Sequence, residues 1–168
     1  MILTKNEILK EIKKGKIKIK PFSKDQVGPA SIDLHLGKDF RIFKKWKTAP
    51  VSEDVDYKKF TKLVKIDKYK ILGPGDFILG LTKEKITLPD NICGWLTGRS
   101  SFARLGLSIH ITASFIQPGI NNKQVLEIKN VSKIPLILYP GTRICQIILM
   151  KTLGKSGYKG KFMKQESL

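Results

Sequence analysis

The chain has 168 residues, of which 41% are hydrophobic, and its 32 basic and 14 acidic residues give a formal net charge of +18. This length predicts a single domain, residues 1–168, with enough apolar side chains for a core that needs no disulfide or structural metal. The charge suggests a polyanionic partner, although most of the lysines are expected to be solvated surface residues. The chain has no apolar stretch of about eighteen residues, which excludes a membrane-spanning helix. Because its start also lacks the apolar segment of a signal peptide, a cytoplasmic protein is expected.

One helix is predicted, at the start of the chain. Thr4 and Glu7 have the spacing of a capping box, which predicts a helix from Thr4 to Lys14 that ends near Gly15. The apolar stripe of this helix consists of Ile8, Leu9 and Ile12. No helical periodicity follows it.

The rest of the chain predicts short strands separated by turns. Apolar and polar residues alternate in IKIKPF, ASIDLHLG, FRIF, VKIDKYKIL, FILGLTKEKITLP, LSIHITASFI, QVLEIKNV, IPLILYP and TRICQIILM. The breaks contain Gly73-Pro74-Gly75, Pro89-Asp90, Pro118-Gly119 and Pro140-Gly141. Many short strands of this kind predict a β-barrel or jelly roll. The absence of a GxxxxGK[ST] motif and of alternating strands and helices argues against a P-loop or Rossmann fold.

Residues 152–168 are polar, basic and rich in glycine. A segment of this composition cannot form a core of its own, so it is expected to be a disordered terminus. The functional alternative is a flexible C-terminal arm that closes over a bound anion.

The histidines and cysteines do not form a metal-binding pattern. His35 and His110 are the only histidines, and Cys93 and Cys145 lie far apart in apolar runs. The H-x-E and P-C-x-x-C signature of zinc deaminases is absent, which excludes that class. Buried, reduced thiols and hydrogen-bonded structural histidines are therefore expected.

The stretch GRSSFAR, Gly98–Arg104, is a candidate phosphate site. Ser100 and Ser101 lie outside a G-x-S-x-G motif and have no general base nearby in the sequence, so covalent serine catalysis is not expected. Arg99 offers a planar set of donors, and two hydroxyls and the turn's N–H groups add to it. A solvated polar turn is the alternative interpretation.

Glu127 is a carboxylate inside a predicted strand. Alternation places it on the face of Val125 and opposite Leu126 and Ile128. A carboxylate on this half-apolar face is a candidate proton shuttle. A cross-strand ion pair with one of the many basic residues is an equally good interpretation.

Read together, GRSSFARLGLSIHITASFIQPG and VLEIKN resemble the dCTP deaminase family of the trimeric dUTPase-like superfamily. The family core reads GRSSLARLGL, H-x-T-A, I-D-P-G-W and V-L-E, and the spacing from Gly98 to Glu127 is the same here. A weaker resemblance covers PASIDLHLG, LPDNICGWLTGRSS, YPGTRICQIIL and GYKGKFMKQ, so that it includes most of the chain. The resemblance implies a mainly β, distorted barrel with a short N-terminal helix and a flexible C-terminal arm. It also implies a homotrimer with active sites at the subunit interfaces.

The resemblance implies a metal-independent deamination of dCTP to dUTP and ammonia, with Mg2+ bound through the triphosphate and dTTP as a candidate inhibitor. At the matching positions, Glu127 transfers protons, and Ser100 and Arg104 hold the attacking water and Glu127. The implied substrate-binding residues are Arg99, Ser100 and Ser101 for the triphosphate, the backbone of Ile111, Thr112 and Ala113 for the pyrimidine, and Tyr158, Lys161 and Gln165 of the arm for the phosphates. Residues 152–168 are thus interpreted as the arm.

The chain departs from the family pattern at Gln117, where the family has an aspartate that contacts the sugar hydroxyl. In dUTPases the corresponding aspartate orients or activates the water that attacks phosphorus. A glutamine can bind a hydroxyl but cannot act as a base. The presence of Glu127 together with Gln117 therefore favours deamination over pyrophosphate hydrolysis. Two further departures are Ile120 in place of an aromatic residue and Asn121-Asn122-Lys123 in place of a glycine loop.

Two other functions are kept as alternatives. The first is a dUTP diphosphatase, or a bifunctional enzyme that forms dUMP and pyrophosphate, with Asp33 as a candidate replacement carboxylate. The second is a non-catalytic binder of nucleotides or nucleic acid, suggested by the charge of +18. The aromatic residues are scattered rather than interleaved with the basic ones, which argues against nucleic acid.

Overall fold

The computed structural model describes residues 1–45 and 48–168. Its helices are α1 (Lys5–Lys13) and α2 (Ser100–Ala103), with 3-10 turns at Lys24–Gln26 and Tyr57–Phe60. Its strands are β1 (Lys18–Lys20), β2 (Ile32–Phe43), β3 (Thr61–Lys65), β4 (Lys70–Leu72), β5 (Phe77–Thr87), β6 (Ile92–Gly98), β7 (Leu107–Ser108), β8 (Phe115–Ile116), β9 (Asn121–Asn130), β10 (Leu136–Leu138) and β11 (Arg143–Lys151). The prediction of a mainly β fold with a short N-terminal helix is confirmed.

A single curled sheet of nine strands forms the body of the protein. Its order is β7-β9-β5-β2-β11-β6-β8, with β1 paired to β5 and β3 paired to β2. All of these pairings are antiparallel, and β4 and β10 form a separate two-stranded ribbon. Sequential strands are seldom neighbours, so the chain crosses the barrel repeatedly and brings distant motifs together.

The predicted apolar stripe of α1 is confirmed, but its capping box is wrong. Ile8 is fully buried, and Leu9 and Ile12 pack against the core. Thr4 is the N-cap, yet its side chain makes no capping hydrogen bond. Glu7 instead contacts the ammonium of Lys10 at 3.2 Å, one turn further along the exposed face. No helix among the described residues is long and apolar enough to cross a membrane.

Strand β6 was missed by the alternation pattern because two of its residues are glycines. Gly94 lies beside β11, where a Cβ would stand 2.9 Å from the carbonyl oxygen of Ile148. The close contact of the two strands therefore requires a residue that gives no hydrophobic signal. A second difference concerns ASIDLHLG and FRIF, which form one continuous strand, β2, with a register shift against β5 between Leu36 and Phe40.

The two faces of the sheet made by β2, β5 and β9 are covered differently. One face packs into the main core, which includes Leu36, Phe40, Ile78, Leu126 and Ile128. On the other face, Leu79 and Leu81 form a small separate cluster with Leu168 from the end of the chain. Glu127 lies on this second face because it is the cross-strand neighbour of Leu79. The candidate site is thus built on the outer face of the barrel sheet.

Candidate active site

The GRSS turn follows the end of β6 and holds its arginine against two other strands. Arg99 is the N-cap of α2, with extended backbone angles. Its Nη1 donates a hydrogen bond of 2.9 Å to the carbonyl of Arg143, and its Nη2 lies 3.4 Å from a carboxylate oxygen of Asp33. About a third of the Arg99 side chain (36%) remains exposed. The guanidinium is therefore oriented by β2 and β11, while Ser100 and Ser101 beside it are exposed.

The carboxylate of Glu127 is bound by the backbone of a loop, not by a basic side chain. Its Oε2 accepts hydrogen bonds from the N–H groups of Ile111 at 2.7 Å and Thr112 at 2.8 Å, and Ala113 lies at 3.5 Å. Within residues 1–45 and 48–168, Glu127 makes no salt bridge, so the ion-pair alternative is wrong there. In the same part of the chain Oε1 accepts no hydrogen bond, which leaves one oxygen fixed and the other free.

A cavity of about 410 Å³ adjoins Glu127 and contains several of the predicted site residues. Predicted residues in its wall are Ala113, Gln117, Glu127, Tyr158 and Gln165. The remaining wall residues are Tyr57, Leu79, Phe115, Ile116, Ile120, Gln124, Val125 and Phe162. The cavity therefore has an apolar lining and a few polar groups that converge on it, as expected of a small-molecule site.

Ser100 lines a different depression, of about 560 Å³, together with His110 and Gln146. Arg104 is exposed and belongs to neither of these two walls. No hydrogen bond or ion pair joins Glu127 to Ser100 or Arg104 in the described part of the chain. The shared role predicted for these three residues is therefore not assembled within one chain, and it stays a prediction.

The C-terminal arm, residues 152–168, runs along β9 and closes one side of the cavity. The N–H of Tyr158 donates to the carbonyl of Pro118 at 2.9 Å, and the side-chain amide of Asn122 donates to the carbonyl of Phe162 at 2.7 Å. The main-chain N–H groups of β9 that bind the arm belong to Asn121 and Lys123. The segment Asn121-Asn122-Lys123, which departs from the family pattern, is thus the part of β9 that holds the arm.

Lys161 belongs to the arm but does not line the Glu127 cavity. Its ammonium is 5.7 Å from the ring centre of Phe162, and the residue is exposed. Tyr158 and Gln165, by contrast, face the cavity. The structure therefore separates the three predicted arm residues into two that adjoin Glu127 and one that does not.

The described residues contain no group of three or more His, Cys, Asp or Glu side chains that could hold a metal ion. His35 contacts the buried carboxylate of Glu84, with 2.5 Å between Nδ1 and Oε1. The amide of Gln26 also donates to Glu84, at 3.0 Å. This histidine is hydrogen-bonded as predicted, whereas Nδ1 of His110 is buried with no partner among the described residues.

The family model described as dCTP deaminase-like matches residues 2–152. The chain belongs to the dCTP deaminase-like family. A relative from Beutenbergia cavernae, named dCTP deaminase, dUMP-forming, is 40% identical over 153 residues, which cover 90% of this chain and 80% of the relative. Membership of the dCTP deaminase-like family supports the prediction of a hydrolase-type enzyme.

Solved structures agree with this assignment. The 2'-deoxycytidine 5'-triphosphate deaminase from Agrobacterium tumefaciens is 25% identical, with a TM-score of 0.70 over 88% of this chain. The dCTP deaminase-like chain spans about half of that protein, 48% of its length. A dUTPase from phage phi11 of S. aureus, described with a structural Mg(II) ion, is 14% identical with a TM-score of 0.51, covering 86% of this chain and 96% of that one, and shows the fold alone.

The name of the Beutenbergia cavernae relative bears on the product. That name gives dUMP as the product, whereas the sequence-based preference was dUTP. The same name supports the predicted deaminase activity at the level of the dCTP deaminase-like family. The named product agrees with the bifunctional alternative.

Proposed function

We propose that the chain is a dCTP deaminase in which Glu127 moves the protons. The observation that carries this proposal is the state of its carboxylate, with Oε2 held by two backbone N–H groups and Oε1 free beside the cavity. A general base must be fixed in position and must keep one oxygen available to water. Glu127 meets both conditions.

The reaction consists of addition and elimination at C4 of cytosine. Glu127 takes a proton from a water molecule, whose oxygen bonds to C4, and delivers it to ring nitrogen N3. A second proton transfer to the C4 amine lets ammonia leave and restores the carbonyl of uracil. The water supplies the oxygen and the protons, so no oxidant or metal-bound hydroxide is needed in this scheme.

The loop from Ile111 to Ala113 is proposed to recognise the base through backbone hydrogen bonds. The N–H groups of Ile111 and Thr112 donate to Glu127 at 2.7 and 2.8 Å, whereas that of Ala113 lies at the long distance of 3.5 Å. The N–H of Ala113 and the carbonyl oxygens of the loop are therefore the groups proposed to bind the substrate. A carbonyl accepts from the amine of cytosine, and an N–H donates to its carbonyl oxygen. The loop thus both orients the base and fixes the carboxylate that acts on it.

The proposed substrate is the Mg2+ complex of dCTP. Arg99, Ser100 and Ser101 would bind the phosphates, because the oriented guanidinium is partly exposed beside two exposed serines. Tyr158 and Gln165 would cover the nucleotide from the arm, whereas Lys161 does not line the cavity. The charge of +18 would attract the anionic substrate from solution.

A homotrimer with sites between subunits is part of this proposal. It is supported by the separation of Ser100 from the Glu127 cavity, since a neighbouring copy could bring its own Ser100 and Arg104 to that cavity. Binding of dTTP at the same site and a cytoplasmic location also remain proposals.

Formation of dUMP is the second candidate, and the name of the Beutenbergia cavernae relative favours it. It would require a water molecule to attack the triphosphate of dUTP and release pyrophosphate. Gln117 lies in the wall of the cavity but cannot deprotonate that water. Asp33 contacts Arg99 of the proposed phosphate site. It is therefore the candidate for the carboxylate that this second reaction needs.

The test is a product analysis of the purified protein with Mg2+ and either dCTP or dUTP. Ammonia from dCTP is the expected result, and pyrophosphate measured in parallel separates the two candidates. Glu127→Gln should lower ammonia release by about 10²- to 10⁴-fold, the usual contribution of a general acid–base group, with nucleotide binding retained.

Glu53→Gln is the matched control, because Glu53 is exposed and the same charge is lost. It should leave ammonia release unchanged. Normal dCTP binding without ammonia would instead support a non-catalytic nucleotide binder and refute the deaminase proposal.

A further inference from the structure

Arg41 is a buried arginine on the outer face of the sheet, and its main partner is the end of the arm. Only 8% of the residue is exposed. Its Nη2 donates to the carbonyl oxygen of Leu168 at 3.1 Å, and its Nη1 donates to the hydroxyl of Thr61 at 3.1 Å. The guanidinium also lies over the ring of Tyr57, 5.7 Å from its centre.

Few hydrogen-bond acceptors surround the buried guanidinium of Arg41. Its Nε is buried with no hydrogen-bond partner, and no acidic side chain in the described ranges forms an ion pair with Arg41. A buried guanidinium with unsatisfied donors is costly. The carbonyl of Leu168 is therefore an important acceptor for it, and departure of Leu168 would leave a second donor group without a protein partner.

The side chain of Leu168 strengthens this contact through burial. Leu168 is 2% exposed and lies in the cluster with Leu79 and Leu81. Val125 packs against the same cluster. An arm that is polar and basic over most of its length thus ends in an apolar residue that is fully enclosed.

Arg41 and Glu127 stand in one row across three strands. Arg41 on β2 is the cross-strand neighbour of Leu79 on β5, and Leu79 is the neighbour of Glu127 on β9. Directly opposed residues point to the same face, so all three side chains share the outer face within about 10 Å. Leu79 belongs both to the Leu168 cluster and to the wall of the Glu127 cavity.

The arm residues between its two ends form one wall of that cavity. Tyr158, Phe162 and Gln165 line it, and Asn122 holds the arm at its middle. Lys85 forms an ion pair with Glu166 on the surface, close to Leu168 in the chain. Of these two side-chain contacts at the end of the arm, that of Arg41 with Leu168 is the buried one, so it is the stronger candidate for holding residues 166–168 in place.

From these contacts we infer that Arg41 is a positioning residue, which holds the arm closed over the Glu127 cavity by binding Leu168. We call the Arg41–Leu168 contact the Leu168 anchor. It acts without nucleotide, because every group in it belongs to this chain. Its effect on turnover rests on the proposed function, whereas the closure of the arm does not.

The experiment compares wild type with Arg41→Met and Leu168→Asp in limited trypsin digestion without nucleotide. Trypsin sites within the arm follow Lys155, Lys159, Lys161 and Lys164. Release of the peptides that end the chain, from the sites after Lys161 and Lys164, is followed by mass spectrometry. Cleavage tracks the population of the opened arm, and a buried leucine contributes enough that about tenfold faster release is expected in both variants. Lys62→Met, which removes an exposed charge on the adjacent strand β3, should digest like wild type.

Steady-state kinetics with dCTP then separates positioning from chemistry. The two anchor variants should raise KM by about tenfold with kcat changed less than about threefold, since the arm still closes over bound substrate. If the two variants are cleaved faster than wild type but the wild-type protein releases no ammonia, the Leu168 anchor is supported and the deaminase proposal is refuted. Wild-type cleavage rates in Leu168→Asp would overturn the anchor, even where Arg41→Met fails to fold.

Discussion

Replacing Gln117 by aspartate tests whether this glutamine limits the reaction at phosphorus. Gln117 is exposed and lines the Glu127 cavity, and its side chain has no hydrogen-bond partner in residues 1–45 and 48–168. Its exchange therefore breaks no contact, and the free energy of unfolding should change by less than about 0.5 kcal/mol. Gln117→Asp adds a carboxylate, one C–C bond or about 1.5 Å closer to the backbone than the amide it replaces.

A carboxylate that deprotonates the attacking water is worth about 10²- to 10⁴-fold in rate. Gln117→Asp should therefore release pyrophosphate from dUTP at least about 100-fold faster than wild type. Gln117→Asn has the same short side chain without the charge, so it should show no such gain. The change should be smaller for ammonia release from dCTP, because Glu127 remains.

The assay measures pyrophosphate and ammonia in parallel, with dUTP and dCTP as separate substrates. An unchanged pyrophosphate rate in Gln117→Asp would refute the reasoning. Rapid pyrophosphate release by the wild-type protein would also refute it, because another group would then already activate the water. That second result would establish dUMP formation, the product named for the Beutenbergia cavernae relative.

Two further predictions concern stability and thiol chemistry. Gly106 has φ +82, and an added Cβ would stand 2.6 Å from Cβ of Ser132, so Gly106→Ala should lower the free energy of unfolding by about 2–4 kcal/mol in a thermal melt. Gly75→Ala (φ +80) meets no atom within 4 Å and should cost only about 1 kcal/mol, so equal shifts would contradict the steric argument. Burial, with a contribution from Glu84, raises the pKa of Cys145 well above its ordinary value. This thiol should not react with a thiol reagent at about pH 8.5 in the folded protein but should react in denaturant, and modification of the native protein would contradict the burial.

The strand pattern was predictable wherever one face of a strand packs into the core. The alternation in QVLEIKNV and TRICQIILM became β9 and β11, because the buried positions include Leu126 and Ile128 of β9 and Ile147 and Leu149 of β11. The pattern failed at β6, where Gly94 replaces a side chain to let β11 approach. It also failed at α2, whose four residues are too few for a helical period.

The sequence proposed residues for the candidate site, and five of them lie in the wall of one cavity, but it did not indicate their contacts. Spacing and resemblance identified Glu127, yet nothing in the sequence indicates that its carboxylate binds the N–H groups of Ile111 and Thr112. Every residue except proline has a backbone N–H, so the residue type does not show which of these groups binds a carboxylate. Arg41 and Leu168 were missed for a related reason, since nothing in the sequence indicates that the arm reaches Arg41 on the outer face of the sheet.

The placement of Ser100 and Glu127 in separate depressions has a consequence for mixtures of inactive chains. If each active site takes Glu127 from one copy and Arg104 from the next, Glu127→Gln and Arg104→Ala carry complementary defects. When equal amounts are unfolded and reassembled together, about a quarter of the sites would combine two intact halves, since each half is intact with a chance of about one in two. Activity would then return from two proteins that have none, whereas sites complete within one chain would stay inactive at every mixing ratio.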